Sequence, residues 1–141
     1  MNMRALICGL TCGLLFAVMP IPCFALRLID VVTKERAKEL GMEVRVRPAG
    51  PNAVQMELEF AAKGQLKHFT LAELEMREGK KFLMSSALRE EKTPSGRVLV
   101  SFSADRAILD KLTLRVVTQD GLHIVYHDLR VKEFVDPEKI Q

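Results

Sequence analysis

The sequence predicts an all-β protein, an antiparallel sandwich of about seven strands with one short N-terminal helix. Three observations predict it. Apolar and polar residues alternate at period two through most of the chain after residue 41. Turn-forming clusters such as PAGPN, EGK, TPSG and DG punctuate that alternation at the short intervals of a β-sandwich. A helix-like stretch with a cap and a stop occurs once, over residues 33–41.

The N-terminus comes first. Met1 to Arg4 carries one positive side chain, and Ala5 to Met19 is almost wholly apolar. Pro20 and Pro22 then break any helix, and Cys23-Phe24-Ala25 supplies small residues three and one before a cut after Ala25. The run is shorter than the roughly 20 apolar residues a spanning helix needs. Residues 1–25 are therefore expected to be a cleaved secretory signal, and the mature protein to be secreted or periplasmic. Pro20 and Pro22 stand where a lipoprotein signal has a Leu-like and a small residue before its cysteine, so Cys23 is not expected to carry lipid.

Cleavage after Ala25 leaves 116 of the 141 residues and removes Cys8, Cys12 and Cys23, the only cysteines. The remainder can form no disulfide, thiol nucleophile or thiolate metal site. Twenty Lys and Arg then stand against 18 Asp and Glu, well mixed along the chain. That balance lacks the basic stripe of a nucleic-acid binder, and membrane contact is expected only through the uncleaved signal.

Residues 26–41 form a lead-in and the short helix. Arg27 to Val32 reads as a short strand or an extended approach; Thr33 is the N-cap, Lys34 to Leu40 the helix, and Gly41 its stop. Two turns of helix are marginal alone, so Ala37 and Leu40 should dock on the rest. The sandwich proper is expected over 42–135, with a polar tail at 136–141. Met42, Val44 and Val46 alternate with charges. So do Val54, Met56, Leu58 and Phe60, and then Ala72, Leu74 and Met76. Phe82, Met84 and Leu88 return after Gly79, and residues 90–96 read as a polar loop. Val98, Val100 and Phe102, then Leu112, Leu114 and Val116, mark two more strands. A last strand runs from Leu122 to about Phe134. Residues 63–70 and 104–110 read as crossovers between sheets.

This strand count and rhythm resemble an immunoglobulin- or fibronectin-like sandwich, although the core Trp and paired cysteines of that family are absent. The chain also looks like small exported bacterial β-sandwich proteins, a likeness that implies no particular activity.

One stretch is chemically suggestive. Residues 118–131, TQDGLHIVYHDLRV, gather His123, Tyr126, His127 and Asp128. On a strand the two histidines share a face but stand ~13 Å apart, too far for one metal ion. No metal or other cofactor is expected. The turn at Asp120-Gly121 permits two registers. In one, Thr118 pairs with His123 and Val116 with Val125. Val125, His127, Leu129 and Val131 then face the core, and Val117, Ile124 and Tyr126 form an outer apolar stripe. That stripe is either covered by the short helix or a partner surface. In the other, Val116 pairs with Ile124, and Arg115, His123 and His127 make an outer polar face. A one-residue slip exchanges the two.

Glu57 and Glu59 are expected to meet Arg45 and Arg47 across the first hairpin, and Asp105 and Asp110 to serve as a cap and a turn residue. No Gly-rich phosphate loop or nucleophile elbow is present. The expected function is therefore non-enzymatic: contact with a protein or envelope component, self-association included. The alternative is small-ligand binding or weak hydrolysis by His123, Tyr126, His127 and Asp128.

Overall fold

The computed structural model describes residues 25–136. The expected signal lies outside these except for Ala25, as does the polar tail after Asp136. The protein is mostly β, built as two facing sheets with little helix. Its strands are β1 (Leu26–Val31), β2 (Glu43–Pro48), β3 (Ala53–Phe60), β4 (Phe69–Glu78), β5 (Lys81–Ala87), β6 (Glu90–Lys92), β7 (Val98–Asp105), β8 (Leu112–Asp120) and β9 (His123–Arg130). Helix α1 spans Lys34–Glu39 and helix α2 Val131–Phe134. The larger sheet runs β1-β9-β8-β4-β5 and the smaller β2-β3-β7-β6.

Alternation builds the core. Along β3 every second residue is buried, so Val54, Met56, Leu58 and Phe60 line the interior while Gln55, Glu57 and Glu59 lie outside. Val98, Val100 and Ala104 join them from β7, and Ala72, Leu112, Leu114, Val116 and Leu129 face them from the larger sheet. Phe60 meets Phe69 edge to face at 5.1 Å between ring centroids. Each fully buried aliphatic or aromatic side chain contributes about 1.5–3 kcal/mol, so packing supplies the cohesion among the described residues, which include no cysteine. Outside the smaller sheet, Arg45 bonds Glu59 at 2.7 Å, and Arg45 and Arg47 both pair with Glu57. This is the expected cross-strand pairing.

Among the described residues, nine strands replace the expected seven, and the larger sheet is mixed. The lead-in is a full strand, β1, and it runs parallel to β9. Its apolar residues are mostly exposed at a sheet edge, so it shows no burial alternation. Strand β6 lies in the supposed polar loop, because three charged residues on an exposed edge have the composition of a turn. Strand β4 starts inside the expected crossover, whose remainder is a 3₁₀ turn at Gly64–Leu66. The second crossover is a 3₁₀ turn over Arg106–Lys111, capped by Asp105, whose Oδ1 accepts from Ala107 N at 2.8 Å. The last strand ends at Arg130, and α2 follows with Val131 and Phe134 buried.

Neither expected register occurs in the β8–β9 hairpin. Asp120 pairs with His123 and Val117 with Tyr126, so the loop is Gly121-Leu122. An Asp-Gly loop of type I′ needs positive φ at both residues, and among the described residues only glycines have one. Gly121 has φ 57, which suits the first loop position of a type II′ turn. The shift from the first expected register is two residues, so faces are preserved: His127, Leu129 and Val131 are buried, Val125 half-buried. The register with Arg115, His123 and His127 on one face is thereby excluded.

Helix α1 forms as its caps dictate. Thr33 Oγ1 accepts from Arg36 N at 3.2 Å, and Gly41 takes φ 69. It does not cover the outer stripe. Ala37 enters the core cluster with Val32 and Met42, Leu40 packs against it, and α1 connects β1 to β2, edge strands of the two sheets.

Candidate functional site

Strand pairing sets the outer face of the larger sheet row by row. Ile29 on β1 pairs with Tyr126, Tyr126 with Val117, and Val117 with Leu71 on β4. The result is one apolar row across four strands. Val117 is buried within it and Tyr126 half-buried, whereas its ends are open: Ile29 is 65% exposed and Leu71 39%. Ile124, the third residue of the expected stripe, lies half-buried one row away, paired with Gln119. At the β1 margin Val31 is also half exposed.

The next row is charged. Val31 pairs with Asp128, Asp128 with Arg115, and Arg115 with Glu73. Arg115 grips Asp128 with two bonds, Nε to Oδ1 at 2.7 Å and Nη2 to Oδ2 at 2.9 Å. Its Nη1 donates to Glu75 Oε2 at 2.8 Å, and Glu73 lies 3.5 Å away. The guanidinium also stacks over Tyr126 at 4.5 Å. Hydrogen bonding to Asp128 outweighs burial and, with the charges of Asp128, Glu75 and Glu73, raises the Arg115 pKa above its ordinary value. Glu75 is almost fully buried and is shared with Arg77. The outer face thus presents an ionic lattice beside an apolar row, with Tyr126 joined to both.

The inner side of β1 holds a second constellation. His127 is 2% exposed, and its Nδ1 lies 3.0 Å from Asp30 Oδ2. Its Nε2 lies 3.3 Å from Thr118 Oγ1. With Asp30 ionised, Nδ1 is the donor, and in the neutral ring Nε2 accepts the Thr118 hydroxyl. Arg36 binds the same carboxylate at 3.2 Å and reaches Gln65 Oε1 at 2.6 Å. Burial acts to raise the Asp30 pKa, but the hydrogen bonds from His127 and Arg36 and their charges outweigh it, and the net shift is downward. A cleft of about 480 Å³ adjoins, lined by Leu28, Asp30, Arg36, Gln65, Val125 and His127.

The chain Thr118–His127–Asp30 has the order of a nucleophile, base and orienting acid. Thr118 is only 5% exposed, however, and does not line the adjoining cleft. The geometry is that of a brace tying β1 to β9 and β8. The four residues of the alternative functional reading do not converge either. His127 is inside, Tyr126 and Asp128 are bound to Arg115 on the outer face, and His123 is exposed at the hairpin end. Among the described residues, no three His, Cys, Asp or Glu side chains gather as a metal site.

Alternation groups Val117, Ile124 and Tyr126 on the outer face in only one of the two expected registers, and the sequence leaves that choice open. It misses Ile29, Leu71 and Val31 because strand order decides which apolar residues fall into one row. It misses Asp30 because the partner that holds it lies 97 residues away in the chain. Comparison with protein-family models and with curated proteins gives no match.

Proposed function

We propose that this chain is an exported, non-enzymatic binding module that contacts a partner protein or an envelope component through the outer face and β1 edge of its five-stranded sheet. The observation that carries the reading is the apolar row Ile29–Tyr126–Val117–Leu71, which among the described residues is open at both ends and continued by Val31 along an open strand edge. Exposed apolar surface rimmed by fixed polar groups marks contact sites. Open strand edges accept an added strand through the backbone. The Arg115 lattice holds the adjoining side chains in place, which lowers the entropy lost on binding.

The fold reading that accompanies this function is immunoglobulin-like. Its support is strand order: β2-β3-β7-β6 follows the A-B-E-D sequence of such sandwiches, and β9-β8-β4 follows G-F-C with β5 added as C′. Strand β1 is then an extra edge strand beside the last one.

A photo-crosslinking side chain placed at Ile29, with Arg47 on the opposite sheet as control, tests the proposal in intact cells. Adducts specific to position 29 are expected, and Ile29→Lys should abolish binding of the crosslinked partner without unfolding the protein. Equal labelling at both positions, or none at 29, would count against it.

A further inference from the structure

A different surface points to a different contact, one that does not depend on the reading above. Strand β5 is the far edge of the larger sheet, and all seven of its residues are exposed. Three consecutive residues there are large and apolar: Phe82 is 51% exposed, Leu83 38% and Met84 52%. They do not fill one face of a strand. Phe82 pairs with Arg77 and Met84 with Met76, and the pairing slips by one residue between them, so Leu83 is the extra residue of a bulge. Apolar side chains therefore project around the strand rather than to one side.

The hairpin tip is cationic. Gly79-Lys80 is a two-residue loop, with Gly79 at φ 59 and Glu78 paired with Lys81. Glu78 is bound by Lys111 at 3.0 Å and Arg77 by Glu75. Among the described residues, no ion pair reaches Lys80 or Lys81, and both are exposed. Two free ammonium groups thus stand directly beside three exposed apolar side chains at one corner of the molecule.

We propose that the β5 edge beside the hairpin tip seats on the surface of an anionic lipid bilayer, with Phe82, Leu83 and Met84 entering the headgroup–acyl boundary and Lys80 and Lys81 beside them meeting lipid phosphates. Charge complementarity selects this occupant: an exposed apolar strand edge flanked at its tip end by two unpaired lysines fits a surface that is apolar inside and negative at its rim. A strand from a second protein fits less well, because the bulge at Leu83 interrupts the regular row of edge hydrogen-bonding groups. The near-neutral charge of the whole chain is no obstacle, since the attraction acts within about 10 Å of the tip.

The chain from Leu26 onward, which carries both sheets and the core, is suited to the test. It has no tryptophan, so Phe82→Trp gives a single fluorescent reporter. Vesicles of mixed phosphatidylglycerol and phosphatidylcholine should shift its emission to the blue, and pure phosphatidylcholine should not. Lys80→Gln with Lys81→Gln should weaken vesicle binding about thirtyfold, and sodium chloride at about 0.5 M should largely abolish it. Both lysines are exposed and unpaired, so circular dichroism of that variant should be unchanged. Unshifted emission with anionic vesicles, or equal binding by the lysine variant, would overturn the proposal. So would a blue shift of the Phe82→Trp reporter without lipid in a concentration-dependent dimer, which would assign the edge to strand pairing.

Discussion

Arg115 touches Asp128, Glu73, Glu75 and Tyr126 at once, although it stands on the outer face of its sheet. Replacing it with methionine keeps the length of the stem but leaves Glu75 buried without that cation. Urea unfolding at neutral pH should show a loss of about 2–3 kcal/mol, well above the ceiling of about 1 kcal/mol for an ordinary surface ion pair. Asp30 makes a prediction with a pH signature. Its folded pKa lies below the ordinary value of 3.8, so its contribution is fully present above that value. It is lost as pH falls through the lower folded value. Asp30→Asn should therefore cost about 1–2 kcal/mol at pH 7 and flatten the decline in stability below about pH 4, as read from melts across that range. The two residues differ in legibility. Arg115 stands out as a polar residue on the hairpin, and its partners Glu75 and Asp128 stand in visible alternation. Asp30 sits in an ambiguous lead-in, and nothing near it in sequence announces His127.

Among the elements, the β8–β9 hairpin shows how far pattern carries. Alternation determines which side chains share a face, because a strand repeats every two residues. It is blind to a slip of two, and the turn decides that. Gly121 takes φ 57 at the first loop position, so Gly121→Ala should destabilise the protein by about 1 kcal/mol. A differential scanning melt measures this, and Leu122→Ala at the exposed neighbouring position should have little effect. Edge strands that lack a buried face are the least legible elements. The signal in a sequence is contrast between a buried and a wet face, and β1, β5 and β6 have exposed residues on both. Of these three only β5 is plain in the sequence, on the strength of Phe82, Met84 and the turn before them.

At the scale of the molecule, stability is graded from the middle of each sheet outward. Strand β3 buries four side chains completely and pairs on both sides, whereas β5 buries none. Amide exchange should therefore be slowest in β3 and β8 and fastest in β1, β5 and β6, with Asp30→Asn accelerating β1 more than β5. No cysteine occurs after position 23, so the melting temperature of the chain from Leu26 onward should not respond to reductant. The all-β architecture and most of the core are legible because burial follows alternation. Sheet order is not, since it depends on which edges meet across long loops.

The parallel ladder between β1 and β9 also imposes an order of events on the nascent polypeptide. Among the described residues β1 leaves the ribosome ahead of every other strand, and its ladder partner β9 is the last to be made, so the Asp30–His127 contact forms only then. Closing so wide a loop is slow. A chain halted before Leu112 would lack this ladder, and only synthesis through Arg130 brings Leu26, Leu28, Ile29 and Val31 beside a neighbouring strand.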